Sequence, residues 1–151
     1  MAEEQIKTLV GLGLPEEQAK ASVATFTADV AATHPVSCFY THKINADADL
    51  DKVKAALKSY TENAMKAKGK IHCSHTINEE HREVQCIEVM NSPSAMDNHI
   101  GHCFPSYVQL LGAGCVMEEI NAIVDESERE WWAKSLSAWG AKKFCVTAAL
   151  N

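Results

Sequence analysis

The sequence predicts an α+β chain whose central part runs strand, helix, strand, strand, helix, strand. Four short stretches, 36–44, 70–77, 84–90 and 115–124, are apolar or alternate apolar and polar residues over strand lengths. Two segments between them repeat apolar residues at helical spacing. Glycines and polar turns punctuate the joins.

Residues 1–34 read as a helical arm. Gln5 to Val10 suits a short helix closed by Gly11 and Gly13, and Pro15 opens a second with Ala19, Val23, Phe26 and Val30 on one face. Two helices fit before Pro35, one fewer than a separate three-helix binding module needs, so the arm is expected to pack on the rest or to clasp a partner. Val36 to Ile44 follows as a strand, with Val36, Cys38, Tyr40, His42 and Ile44 on one face. Asn45 to Asp49 is a polar turn that caps a helix with Leu50, Val53, Leu57, Tyr60 and Ala64 in one stripe; Gly69 is a natural stop.

In the second strand, Lys70 to Ile77, the residues Ile71, Cys73, His75 and Ile77 alternate against His72 and Ser74. A polar hairpin leads to the third strand, which ends at Met90. Ser92 or Ser94 caps the next helix, and Pro93 suits its first turn because no amide hydrogen is needed there. Met96, Ile100, Cys103, Tyr107 and Leu110 share its buried stripe, with His99 at the edge and His102 well off it. Pro105 removes one backbone bond and crowds the carbonyl of Gly101, so a kink or break is expected there. Cys115 to Val124 is the fourth strand. Glu126 to Lys143 reads as a last helix with Trp132, Leu136, Trp139 and Lys143 near one line, and Phe144 to Leu150 as a closing strand.

This order is the split β-α-β of ferredoxin-like folds. It gives an arm (1–34), a core (35–125) and a helix-strand appendix (126–151), all in one domain, since 151 residues support one core and not two. A four-stranded sheet with helices on one side leaves its other face bare. These strands are apolar or small on both faces, so that face needs cover too.

Bulk properties narrow the partners. A net charge of −6 argues against nonspecific binding to nucleic acid or to anionic membrane. No apolar run nears the roughly 20 residues that span a bilayer. The first residues are acidic and amphipathic, unlike a secretory signal or an Arg-rich transit peptide. Six cysteines stand singly with no CxxC pair, which favours buried reduced thiols in a cytoplasmic protein over a disulfide framework.

The stretch from Glu83 to Leu111 resembles the antibiotic-biosynthesis-monooxygenase family of dimeric α+β barrels. A strand ending Glu-x-hydrophobic precedes a capped helix with Ala-hydrophobic-x-x-His: Glu88, Ala95, Met96 and His99 stand at the family's positions, and Phe104 and Tyr107 where its aromatics follow. Met90 holds a position often aromatic in the family. The resemblance implies a homodimer whose two sheets pack face to face. It also implies a pocket for a small apolar, aromatic molecule, oxidised there without a cofactor.

The seven histidines are the unusual chemical feature. His99 is the best-placed catalytic candidate, against a plain role as a core-edge histidine bonded to backbone. Glu88, in an apolar strand, is a candidate base with a raised pKa, or else a structural carboxylate paired with Lys or His. Tyr40 completes the catalytic set. His42, His75, Tyr107 and Met90 are ligand-binding candidates, since Tyr and His can bond a phenol or quinone. His99, His102 and Cys103 have metal-ligand spacing, but His102 points away, and no metal site is expected. Haem is not expected either: haem-degrading relatives in the resembled family carry their iron-binding histidine in the second half of this helix, where Phe104 to Leu111 has none. Motifs for nucleotide, serine-hydrolase and zinc-protease chemistry are missing, so no cofactor is expected. The competing expectation is a non-catalytic binding or interaction protein on the same scaffold.

Overall fold

A computed structural model describes residues 1–137 and 139–149. The elements are α1 (Ala2–Gly11), α2 (Glu16–Thr27), β1 (Val36–Ile44), α3 (Leu50–Ala64), β2 (Lys70–Asn78), β3 (Glu83–Met90), α4 (Pro93–Gly112), β4 (Cys115–Val124), a 3-10 turn (Glu126–Glu128), α5 (Arg129–Ser137) and β5 (Lys143–Ala148). The sheet order is β2-β3-β1-β4-β5. The first four strands pair antiparallel, as the split β-α-β order requires, and β5 adds parallel to β4 at the edge.

Capping follows the sequence. Asp49 accepts from the amides of Asp51 and Lys52 at the start of α3, and Ser92 from Ala95 at the start of α4, with Pro93 in the first turn. One face of the sheet is packed under α3 and α4. Val36, Cys38, Tyr40, His42 and Ile44 all point into it, as do Val84, Cys86, Glu88 and Met90. The opposite face is uncovered in the single chain, with Phe39, Ile87 and Ile123 at 37%, 40% and 43% exposure.

Five expectations are corrected. Of the kink or break expected at Pro105, the break is absent, since α4 continues through it. Ile71 is exposed rather than sharing the inward face with Cys73, His75 and Ile77, because a bulge between Lys70 and His72 shifts it out of step. The last helix ends at Ser137: Trp139 lies in a turn, Gly140 adopts a left-handed φ of 70°, and Lys143 opens β5. Val30 lies beyond the end of α2. Leu150, the expected end of the closing strand, lies outside the described residues. All six cysteines are free thiols, and Cys145 is exposed rather than buried.

Helix α2 lies against α4 at very close range. A Cβ on Gly101 would stand 2.7 Å from the Phe26 ring and 2.8 Å from the Ser22 Cβ, so only glycine admits this approach. Among the described residues, no helix is long and apolar enough to cross a membrane.

Candidate functional site

The site is built on the inward face of the sheet. Residues two apart on a strand share a face, so Tyr40 on β1, Glu88 on β3 and His75 on β2 meet beneath the helices. Tyr60 descends from α3 and His99 from α4. In β4 an extra residue, Glu118, interrupts the pairing where Thr41 faces Glu119 and His42 faces Met117. That bulge turns Met117 and Ile120, three apart, to the same inward side.

Glu88 is the centre and is only 3% exposed. Its Oε1 accepts from the Tyr40 hydroxyl, from Tyr60 at 3.0 Å and from His75 Nε2 at 2.9 Å. The two tyrosine hydroxyls also lie 2.5 Å apart. Thr61 gives its hydroxyl proton to the Leu57 carbonyl, so it can only accept from His75 Nδ1 at 3.0 Å. His99 Nε2 lies 2.7 Å from Glu88 Oε2, an ion pair whenever the imidazole is protonated, in a geometry that leaves Nε2 without a straight hydrogen-bond partner. Its Nδ1 faces the Cys103 sulfur at 3.7 Å.

Burial alone would raise the Glu88 pKa. The positive charge of a protonated His99 and the bond from His75 outweigh it and hold the carboxyl well below the usual carboxylate range. This corrects the expectation of a raised Glu88 pKa in favour of its alternative, a carboxylate paired with histidine: His75 and His99 both face it from other elements, which an apolar strand does not reveal. The phenols of Tyr40 and Tyr60 are pushed well above their ordinary range, first by burial and then by the Glu88 charge, so they stay protonated and donate. His99 is 1% exposed, deep in the core and not at its edge.

Above the Glu88–His99 pair is a cavity of about 20 Å³, room for one or two waters. Its floor is polar, and its walls include Met96, Ile100, Met117, Ile120 and Trp139. Three of the residues singled out in the sequence, Tyr40, Glu88 and His99, border it, and His75 bonds its floor. Tyr60 also borders it; it was read only as part of a helical stripe, and the one available signal was a tyrosine placed inside that stripe. His42 is fully buried with neither ring nitrogen bonded, edge-on to Tyr40 with ring centres 5.7 Å apart. Tyr107 instead bonds the Trp139 carbonyl at 3.3 Å. Met90 is buried at the end of β3 and does not border the cavity. His102 stacks on Phe26, so it does not converge with His99 and Cys103.

No family model and no curated protein sequence matches the chain. Solved structures do. MupZ from Pseudomonas fluorescens has 13% identity and a TM-score of 0.62, covering 79% of this chain and 95% of MupZ. A conserved protein from Methanosarcina mazei Go1 has 17% identity and a TM-score of 0.51, covering 59% of this chain and 90% of that one. SnoaB from Streptomyces nogalater, a cofactor-independent oxygenase, has 8% identity and a TM-score of 0.51, covering 62% and 95%. The shared feature is the fold. It is the ferredoxin-like α+β arrangement expected from the order of elements.

Proposed function

We propose that this chain binds a small apolar, aromatic, hydroxyl-bearing molecule over the Glu88–His99 pair and oxygenates it without a cofactor. One observation carries the reading: His99 Nε2, buried beside an anionic carboxylate, has no straight hydrogen-bond partner and faces a space with apolar walls. A ligand hydroxyl would satisfy it. His99 takes the ligand's proton, Glu88 stabilises the resulting imidazolium, and the electron-rich substrate anion reduces dioxygen directly. For an anthrone-like substrate, a ring methylene plus dioxygen becomes a ring carbonyl plus water, so no outside electrons are needed. Water exclusion by the apolar walls favours both steps. The likeness in fold to SnoaB, a cofactor-independent oxygenase, supports this reading.

Glu88 is assigned a positioning role, because the three donors on its Oε1, Tyr40, Tyr60 and His75, leave it a poor base. The same saturation favours the second reading, a binding protein in which the cluster only fixes the ligand. In either case two copies join through the bare sheet faces, and the reduced thiols suit a cytoplasmic setting.

Dioxygen uptake with a panel of hydroquinones and anthrones separates the readings. The oxygenase consumes dioxygen with at least one compound, and His99→Gln lowers that rate about tenfold or more per folded molecule, as general base catalysis requires. Gln109→Ala, exposed on the same helix, leaves it unchanged. Binding with no uptake leaves the binding protein; neither binding nor uptake across the panel refutes both.

A further inference from the structure

Trp139 is common to two separate spaces. Its side chain borders the inner cavity over Glu88 and His99, and it also borders an outer groove of about 150 Å³ between the arm and α4, lined by Leu12, Pro15 and Val108 among others. Among the described residues, no other borders both. The backbone is fixed: the Trp139 amide donates to the Leu136 carbonyl at 3.1 Å, and its own carbonyl accepts from Tyr107 at 3.3 Å. The ring packs against Tyr107 and Phe104 at centroid distances of 4.8 and 5.5 Å.

We propose that the Trp139 indole is the gate of the site and that aromatic ligands enter from the outer groove by displacing it. The inference rests on the cavity being the ligand site. A benzene-sized guest needs a cavity on the order of 150 Å³, far more than the inner space holds, so something must move before an aromatic ring fits. Met96, Ile100, Met117 and Ile120 are fully buried on main elements of the core, whereas the indole is half-buried and lies in a turn outside them. Rotation of its side chain joins the two spaces with the backbone bonds intact. The indole is itself an aromatic plug, so a flat apolar ligand of similar size replaces its contacts with Phe104 and Tyr107. This gives the arm a role: Leu12 and Pro15 form the outer wall of the access path.

Stopped-flow binding of 2-naphthol, a fluorescent phenol, tests the gate without requiring turnover. In Trp139→Ala, and in Trp139→Leu as a less disruptive variant, association is about tenfold faster or more than in the unaltered protein, because the closing step is removed. Trp131→Ala is the control: Trp131 is 38% exposed and borders neither space, and its association rate stays that of the unaltered protein. Binding at one common rate in all four proteins overturns the gate and leaves the ligand site standing. An equal acceleration in Trp131→Ala also overturns it. Absence of 2-naphthol binding in every variant overturns the gate and the ligand site together.

Discussion

His42 shows how a single buried group sets a pH dependence. Burial pushes its imidazole down to about 4, with the Glu88 charge acting weakly the other way. The unfolded chain binds a proton on this histidine near pH 6.5 and the folded chain does not until about pH 4. Stability from His42 is therefore intact above 6.5 and falls as pH drops through that window. At roughly 1.4 kcal/mol per pKa unit the loss reaches about 3 kcal/mol. Asp97 opposes it: burial raises its carboxyl to about 6, so protonation there favours the folded state below that pH. The two effects mask each other in the unaltered protein, and the expected outcome lies in a difference. His42→Phe keeps an aromatic ring between Tyr40 and Tyr107 and removes the two unbonded nitrogens. Its gain in denaturant-measured stability grows from pH 7 to pH 4 by about 3 kcal/mol; a pH-independent difference contradicts this account. The alternation that turns His42 inward was legible in β1, as were the positions of Tyr40 and Glu88. The donor set on Glu88 was not, because His75 and Tyr60 reach it across strand pairing and helix packing that no local pattern encodes.

Among the elements, α4 is where tertiary packing overrides local chemistry. Pro105 forfeits a bond to the Gly101 carbonyl, and of the kink or break expected locally the break does not occur. Eleven buried residues along the helix tie it to α2, α3 and the sheet, and burial on this scale outweighs one lost bond. The opposite failure occurs at α5. Trp132, Leu136, Trp139 and Lys143 fit a helical wheel, yet the helix ends at Ser137 and the chain turns back through Gly140 to pair β5 with β4. Periodicity does not reveal a stop when the residues beyond it keep the same spacing by chance. Gly101 was read only as the carbonyl facing Pro105, although its absent side chain is what seats the arm. Gly101→Ala drives a methyl into the Phe26 ring and the Ser22 Cβ. The expected cost is about 1–3 kcal/mol, typical of overpacking a tight contact. We propose that arm, core and appendix unfold as one unit, so circular dichroism and tryptophan fluorescence of Gly101→Ala should report one coincident, shifted transition. An early separate loss of helix signal would mean that the arm melts on its own.

For the whole molecule, the bare sheet face is the largest departure from what one folded chain can satisfy. Phe39 and Ile87 are directly paired across β1 and β3, with Ile123 further along on β4. Their partial exposure places large apolar side chains in water on one continuous surface. The strand pattern made this legible early, since apolar residues on both faces imply cover on both, but it did not say what supplies the second cover. We propose that a second copy supplies it with closed two-fold symmetry, meeting like face with like face. Interfaces of this obligate kind bury more than about 2,000 Å². Sedimentation velocity at micromolar concentration should show a dimer. Ile87→Lys, placed mid-face beside Phe39, puts two like charges into that interface and should yield monomers. Glu88 is its neighbour in sequence but points to the opposite side of the sheet, so the variant separates association from the site. Monomers that still bind 2-naphthol would show that each chain holds a complete site; monomers that have lost it would make the dimer part of the site's support. A monomeric unaltered protein would mean that something other than a second copy covers the face.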